Sequence, residues 1–166
     1  MRKRVIVLKG KSHVMIGTTL GLFLLQELEV QSLQVVGTFF TGIYIGSLLP
    51  DADCKSSTMG KIFPLWLITR HRGVTHSFLF LLVPFILTKV FPIPYYFGYG
   101  LCCGIASHIF CDLFTPAGCE ILFPLKKRFK LPIAKTGSIA EKLFVFIALG
   151  LALLQSYRLL IFYHFI

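Results

Sequence analysis

The sequence predicts an all-α integral membrane protein, with one domain over residues 1–166 folded as a bundle of about five transmembrane helices. Hydrophobic residues make up 55% of the chain and charged residues only 14%, whereas about 25% of an average soluble domain is charged. The mean hydropathy is correspondingly high, at +0.78. Since a helix needs about 20 residues to cross a bilayer, five spans would use most of the 166 residues.

Five apolar segments are the candidate spans: 13–25, 33–49, 76–91, 95–113 and 139–165. The first segment is short, because its residues rise only about 20 Å against a hydrocarbon core of about 30 Å. We therefore expect it to continue towards Val30 or to lie tilted in the bundle. The residues Gln26–Glu29 offer no small-residue cleavage site, so we expect an uncleaved span rather than a signal peptide.

Turn-forming and basic residues separate the later spans. Pro50 ends the second segment, because proline cannot continue a helix. Pro92 and Pro94 form a tight turn between the third and fourth segments. Tyr95 and Tyr99 follow this turn as aromatic residues typical of a membrane interface. A polar connection containing the basic run 126–130 leads into the last helix, at about 139–165.

Three of the spans carry a pair of glycines four residues apart. Such pairs allow helix backbones to approach closely in lipid, although glycine is also a frequent residue of membrane helices in general. Three pairs in one chain favour a compact bundle. The pairs are Gly17 with Gly21, Gly42 with Gly46, and Gly100 with Gly104.

The distribution of basic residues orients the predicted spans, because lysine and arginine favour cytoplasmic loops. With five spans, the N-terminus and both long polar connections lie in the cytoplasm, and only Lys89 and Arg158 fall on the opposite side. This topology accounts for the net charge of +10, so we expect membrane lipids and not nucleic acid as partners. The run 126–130 is interpreted as a loop that contacts anionic headgroups, with substrate capture as the alternative.

Histidines and aspartates gather at the cytoplasmic ends of the predicted helices. Ionisable groups at membrane depth are costly and are therefore functional candidates. A single histidine is more often a helix cap, which is how we interpret the solitary His164, but seven residues on one face favour a metal site. Imidazole and carboxylate ligands are typical of zinc, manganese and iron. The seven candidate ligands are His13, Asp51, Asp53, His71, His76, His108 and Asp112.

These ligands would hold one or two divalent ions. Two ions carry +4 against −3 from the three aspartates, so the pocket would attract an anionic, phosphate-bearing substrate beside Arg70 and Arg72. Water activated by the metal would be the nucleophile, and Asp53 or a histidine such as His71 would be the general base. We therefore expect Asp53, His71 and Arg72 to be the catalytic residues.

Two other functions fit the same residues. A divalent-metal transporter usually holds its ion near the bilayer midplane, whereas the middles of these spans carry threonine but no charge. A non-catalytic scaffold that holds metal and binds a cytoplasmic regulator needs four ligands for a closed zinc site, fewer than the seven available. The five cysteines form no CxxC pair and are interpreted as reduced packing residues.

Three motifs resemble the YdjM-like family of bacterial inner-membrane proteins. They are LLPDAD at 48–53, HRGVTHS at 71–77 and SHIFCDLFTPAG at 107–118, and their order along the chain is that of the family. The match covers residues 13 to about 131 and includes His13 as the early histidine of that family.

The resemblance implies a membrane-bound hydrolase with a divalent metal, zinc above all, and a distant similarity to zinc-dependent phospholipase C. It also implies a multi-pass protein of the inner membrane and does not indicate a substrate. The chain departs from the family pattern in its longer basic N-terminus and in the cysteines beside the expected ligands, among them Cys54 and Cys111.

Overall fold

The structure is a computed structural model that describes residues 10–27, 32–133 and 138–162. These residues form six α-helices and four short 3₁₀ helices, with one isolated antiparallel bridge between Cys119 and Phe129 and no strand. The all-α prediction is confirmed for this part of the chain. The helices are α1 (Gly10–Glu27), α2 (Leu33–Gly46), α3 (Thr58–Ile62), α4 (Leu82–Val90), α5 (Tyr95–Leu113) and α6 (Ile139–Phe162).

The observed helix bounds differ most from the prediction in the third segment, 76–91. Ser77 is extended and Phe78–Leu81 forms a 3₁₀ turn, so the α-helix covers only Leu82–Val90. Pro84 lies in its first turn, where proline is tolerated because the N–H groups there lack helical partners. By contrast, α1 continues past Leu25 to Glu27, in the direction that the short first segment predicted.

Two segments are long and apolar enough to cross a membrane: Leu33–Asp53, which joins α2 to the following 3₁₀ turn, and Ile139–Phe162, which is α6. Exposed leucine, isoleucine and phenylalanine side chains cover much of α6, as expected of a helix in contact with lipid. Crossing of the membrane by α1, by the shorter apolar segment Phe78–Val90 and by α5 stays a prediction.

Helix α5 lies at the centre of the bundle and contacts α1, α2 and α4, while α6 packs against α1. Its closest neighbour is α2, and glycine makes this approach possible. A methyl group added at Gly42, Gly46, Gly100 or Gly104 would collide with backbone atoms of the facing helix. The predicted role of these two glycine pairs is therefore confirmed, and Gly17 and Gly21 likewise face side chains from the region of α2.

The contacts also give the direction of each helix. Ser12, Thr19 and Gln26 of α1 each bond to the residue 129 positions later, so α1 and α6 run parallel. Helices α2 and α5 are also parallel, because Phe39 faces Gly100 and Ser47 bonds to His108, both 61 positions apart.

Helices α1 and α2 are antiparallel. Gly17 of α1 faces Ser47, while Gly21, further along α1, faces the earlier residue Ile43. As a result, the start of α1 and of α6 and the ends of α2 and α5 all lie at one end of the bundle.

Candidate metal centre

The metal-ligand candidates come from the helix ends that meet at this end of the bundle. His13 lies in the first turns of α1, and His108 and Asp112 lie four residues apart in the last turns of α5. Asp51 and Asp53 lie in the 3₁₀ turn that follows α2, where Pro50 occupies the first turn. His71 and His76 lie in the connection between α3 and α4. The structure thus brings all seven predicted residues into one cluster.

Asp112 is at the centre of this cluster. Its Oδ1 lies 3.7 Å from His13 Nε2 and 3.0 Å from Arg72 Nη2, and its Oδ2 lies 3.3 Å from His76 Nε2 and 4.0 Å from His108 Nε2. All of these side chains are fully buried or nearly so. A carboxylate in such surroundings must be compensated by positive charge, because an unpaired buried charge is strongly destabilising.

Asp53 organises the second part of the cluster. Its Oδ1 lies 2.6 Å from His71 Nδ1, and its Oδ2 accepts the backbone N–H of Arg72 at 2.9 Å and the hydroxyl of Thr75. His76 Nδ1 lies 3.2 Å from the same Oδ2. His76 therefore connects the two aspartates, with one ring nitrogen near Asp53 and the other near Asp112.

His108 is oriented by the backbone at the end of α2. Its Nδ1 lies 2.6 Å from the carbonyl oxygen of Ser47, so a proton on Nδ1 is donated to that carbonyl and Nε2 carries the lone pair. Nε2 lies 3.8 Å from Asp51 Oδ1. The ring stacks on that of His13 with centroids 3.8 Å apart. This arrangement is typical of metal ligands, in which the second nitrogen is held by an acceptor outside the site.

The donor atoms that face the centre of the cluster fit a divalent ion. Buried atoms without a hydrogen-bond partner include Nε2 of His13, His71, His76 and His108, Oδ1 of Asp51 and Oδ2 of Asp112. Buried polar atoms are normally paired, so several orphans converging in one place need an explanation. A cation satisfies lone pairs on nitrogen and oxygen at once, and the residues present therefore fit the predicted metal.

The possible ligands fall into three overlapping groups, and within each group the donor atoms lie within 4.8 Å of one another. Neighbouring groups share His108 or Asp51, so the cluster has room for ligation at more than one position. The groups are His13, His108 and Asp112; Asp51, His76 and His108; and Asp51, Asp53 and His71.

Arg72 lies behind the cluster and not at its surface. Its side chain is only 1% exposed, and its guanidinium donates to Thr115 at 2.7 Å, to Asp112 at 3.0 Å and to the carbonyl of Gly118 at 3.4 Å. Its φ of +65° is rare for a residue with a side chain and costs about 1–3 kcal/mol. The structure therefore places Arg72 as a support for Asp112, whereas the sequence led us to expect it to grip a phosphate.

Access to the cluster is from the side of His71 and Asp51, whose side chains are 28% and 10% exposed. Arg70, which directly precedes His71 in the chain, is exposed. Arg128, from the basic run 126–130, donates to the carbonyl of His71 at 3.4 Å and lies 3.6 Å from the buried Glu120. One residue of that run thus contacts the edge of the site.

Several residues of the site were not identified from the sequence. Thr75 and Thr115 hold Asp53 and Arg72 respectively, and Glu120 forms an ion pair with Arg128 at 3.6 Å. Both threonines lie inside the quoted motifs, at HRGVTHS and DLFTPAG, which is the signal that would have identified them. Glu120 lies two residues beyond the last motif, and its burial had no signal in the sequence.

The cysteines do not join the three ligand groups. All five are free thiols, which agrees with their interpretation as reduced packing residues. Burial raises the pKa of Cys119 to about 12, so this thiol is protonated at neutral pH and is a poor metal ligand.

Several predicted features lie outside the described residues. They are the basic residues Arg2, Lys3, Arg4, Lys9 and Lys135, the acidic Glu29, the solitary His164 and the end of the last span beyond Phe162.

Comparisons with known proteins identify the family. The family model for the YdjM inner membrane protein matches residues 8–165. The uncharacterized protein YvsG of Bacillus subtilis (strain 168) is 35% identical over 126 residues, which cover 72% of this chain and 77% of that protein. No solved structure matches the chain.

The inner membrane protein YdjM of Escherichia coli (strain K12) and that of Shigella flexneri are each 40% identical over 99 residues. The match covers 52% of this chain and 49% of each relative, so the chain spans about half the length of these two proteins. The chain belongs to the YdjM inner membrane protein family, and the resemblance noted from its motifs is confirmed.

Proposed function

We propose that this member of the YdjM inner membrane protein family is a membrane-embedded hydrolase that uses one or two divalent cations, with zinc as the expected metal. The observation that supports this proposal is the convergence of unpaired imidazole and carboxylate atoms in one buried cluster. Seven ligand candidates exceed the four of a closed structural zinc site and allow positions to remain open for water and substrate.

The residues divide into ligands and supports. We assign His13, Asp51, His76, His108 and Asp112 as metal ligands, with Asp53 beside Asp51 for a second position, and we keep His71 for proton transfer. When bound, the cation supplies Lewis acidity and neutralises charge on the substrate. Ser47 orients His108, Thr75 orients Asp53, and Arg72 holds Asp112 through its guanidinium.

His71 is the residue best placed to move a proton. Its Nδ1 is held by Asp53 at 2.6 Å, its ring is the most exposed of the four histidine rings in the cluster, and its Nε2 has no hydrogen-bond partner. In hydrolysis of a phosphate ester, the oxygen of water bonds to phosphorus while the ester P–O bond breaks. His71 would take the proton from the water and return one to the leaving oxygen, a sequence that needs no other co-reactant.

A phosphate-bearing substrate agrees with the charges around the access side. Three carboxylates are opposed by two divalent ions and by Arg72, so the occupied site would be net positive. Arg70 and Arg128 add positive charge at the edge. Arg128 replaces Arg72 in our assignment of the residue that contacts substrate phosphate, because the guanidinium of Arg72 is enclosed.

For the topology, we propose a multi-pass protein with its N-terminus and the metal centre at the cytoplasmic face. The basic residues of both polar connections support this orientation. The helix directions support five spans, since α1 and α6 run parallel to each other and antiparallel to α2 and α5.

Near-complete burial of the cluster supports a second candidate, a non-catalytic scaffold that holds metal and binds a cytoplasmic regulator. His13, His76, His108 and Asp112 have no exposed surface, which is typical of structural metal. A transporter is less well supported, because the cluster lies where helices begin and end and not midway along them.

Metal analysis combined with hydrolysis tests the proposal. The purified protein, grown in metal-replete medium, should hold one or two divalent ions per chain, and less than about half an ion would contradict it. Hydrolysis of bis(4-nitrophenyl) phosphate should disappear on chelation and return with zinc. Stoichiometric metal without hydrolysis of phosphate monoesters or diesters would favour the scaffold.

A further inference from the structure

A long apolar groove lies between α1, α5 and α6, next to the metal centre. It has a volume of about 490 Å³. Its wall includes Leu20 and Phe23 of α1, Phe114 just beyond α5, and Phe144 and Leu151 of α6. The groove opens on the apolar surface of the bundle, where many neighbouring side chains are exposed.

The groove has the length of one membrane leaflet. Its lining extends along α1 from Ser12 to Phe23 and along α6 from Glu141 to Leu151, which at 1.5 Å per residue corresponds to about 15 Å. The hydrocarbon core is about 30 Å thick, so one leaflet is about 15 Å deep. A single acyl chain that enters from the headgroup region would therefore extend along the whole groove.

One end of the groove is polar and lies beside the metal centre. The hydroxyl of Ser12 donates to Glu141 at 2.8 Å, which fixes the starts of α1 and α6 together. Ser12 precedes the ligand candidate His13, and the groove residue Cys111 precedes Asp112. The groove and the metal cluster are thus on different sides of the same two helices, at the same end of the bundle.

Positive charge at this end matches an anionic headgroup. Lys11 and Lys142 are exposed and adjoin Ser12 and Glu141 in the chain, so the 2.8 Å bond brings both lysines to the polar end of the groove. Beyond Thr19, which bonds to backbone carbonyls of Met15 and Ala148, the lining is apolar. A basic end and an apolar body complement a lipid whose headgroup carries phosphate.

We infer that the groove binds one acyl chain of an anionic phospholipid from the leaflet that adjoins the metal centre. Binding there would place the phosphate of the lipid at the same end of the bundle as the metal cluster. The substrate class of the proposed hydrolase is then an acyl-bearing phosphate ester, an assignment that rests on the proposed function, whereas lipid binding in the groove does not.

Crosslinking tests the binding directly. Protein in phosphatidylcholine nanodiscs would receive phosphatidic acid with a diazirine at mid-chain, and irradiation should attach this probe preferentially to groove residues such as Leu20 and Leu151. Val145→Trp fills the groove from α6 and should lower the yield several-fold. Gly150→Trp is the matched control: it adds a tryptophan to the same helix where the space is open, and it should leave the yield unchanged.

Folding and annular lipid are controlled separately. Ala148→Phe fills the groove at a second position, and the thermal unfolding of each variant shows whether it is folded. The inference would be overturned if the probe labelled the surfaces of α1, α4 and α6 equally and if the groove variants that remain folded did not change this labelling. The probe would then report annular lipid only.

Comparison of two substrates separates this inference from the proposed function. In Val145→Trp, the ratio of long-chain phosphatidic acid hydrolysis to bis(4-nitrophenyl) phosphate hydrolysis should fall. If neither substrate is hydrolysed by the metal-loaded wild type, the hydrolase proposal fails, and the crosslinking result still decides whether the groove holds lipid. If hydrolysis of the soluble ester persists but groove labelling is absent, the lipid groove alone is wrong.

Discussion

At Asp53, three donors meet one carboxylate: the ring of His71, the backbone N–H of Arg72 and the hydroxyl of Thr75. Replacement by asparagine would keep the shape but remove the charge and turn an N–H₂ group towards some of these donors. His76 lies between Asp53 and Asp112, so its loss would leave two buried carboxylates without the imidazole between them. We therefore expect each residue to contribute both to metal binding and to the stability of the fold.

We expect Asp53→Asn and His76→Ala to lower metal affinity at least about 10–100-fold, since even residues around the ligands have effects of this size. Bound metal, thermal stability and phosphodiesterase activity would be measured on both variants. Lys127→Ala is the control, because Lys127 is exposed and contacts only the ring of Phe129 among the interactions described. Full metal and full activity in both variants would reduce the cluster to a set of helix caps.

Arg72 is the residue for which a conservative substitution should be least tolerated. Lysine keeps the charge but lacks the planar fork that reaches Thr115 and Asp112 together. We expect Arg72→Lys to destabilise the protein by about 1–3 kcal/mol, the cost of leaving a buried polar group without its hydrogen bond, measured by denaturation in detergent. The same substitution at Arg70, which is exposed, is the matched control and should change stability by less than about 0.5 kcal/mol.

At the scale of elements, the α2–α5 contact depends on the absence of side chains. Backbone atoms occupy the space where a methyl group at Gly46 or Gly104 would lie. We expect Gly104→Ala to destabilise the bundle by about 1–3 kcal/mol through overpacking. Gly37→Ala, on the open side of α2, should be neutral or should stabilise by up to about 1 kcal/mol because alanine favours the helix. Thermal unfolding of the two variants gives the comparison, and equal effects would contradict close packing.

The helices were predictable to different degrees. The limits of α5 were predicted to the residue, 95–113, because Pro92 and Pro94 precede the helix and the sequence TPAG follows it. The segment 76–91 was predicted as one span, but its first residues form 3₁₀ turns that place His76 between Asp53 and Asp112. Hydropathy cannot reveal this change, because the side chains remain apolar whichever helix type the backbone adopts.

The same distinction applies to the site. Charged and imidazole residues at helix ends were identifiable because their burial needs compensation. The roles of the neutral supports were not, although Thr75 and Thr115 lie inside the motifs, since a threonine hydroxyl or the carbonyl of Ser47 gains its partner only when the chain folds around His108 and Arg72. The phosphate contact expected of Arg72 followed from its place in the chain beside the ligand candidates, whereas the structure encloses its guanidinium.

At the scale of the whole molecule, one cluster connects helices that are distant in sequence. His13 comes from α1, Asp51 from the turn that follows α2, and Asp112 from α5. Bound metal would therefore join three helix ends. Because metal that binds only the folded state stabilises it by mass action, we expect chelation to lower the midpoint of thermal unfolding and zinc to restore it. A midpoint that does not respond to chelator or metal would contradict a cation at this junction.

The topology of the chain in the membrane is a second property of the whole molecule. A five-span topology and a two-span topology both place the C-terminus in the periplasm. In both of them, α6 runs outward from the cytoplasmic loop that contains the basic run 126–130. They differ at the turn between α4 and α5, around Pro92. With five spans this turn faces the periplasm, whereas with only Leu33–Asp53 and Ile139–Phe162 crossing it would lie on the cytoplasmic side with the basic run 126–130.

We expect five spans, since α4 and α5 are antiparallel and α5 is parallel to α2. Reporters active only in the periplasm or only in the cytoplasm would be inserted after Pro92, after Lys127 and after Ile166. The periplasmic reporter should be active after Pro92 and Ile166, and the cytoplasmic reporter after Lys127, where basic residues hold the loop inside. Cytoplasmic activity after Pro92 would reduce the protein to two spans, and cytoplasmic activity after Ile166 would reverse the orientation and place the metal centre at the opposite face.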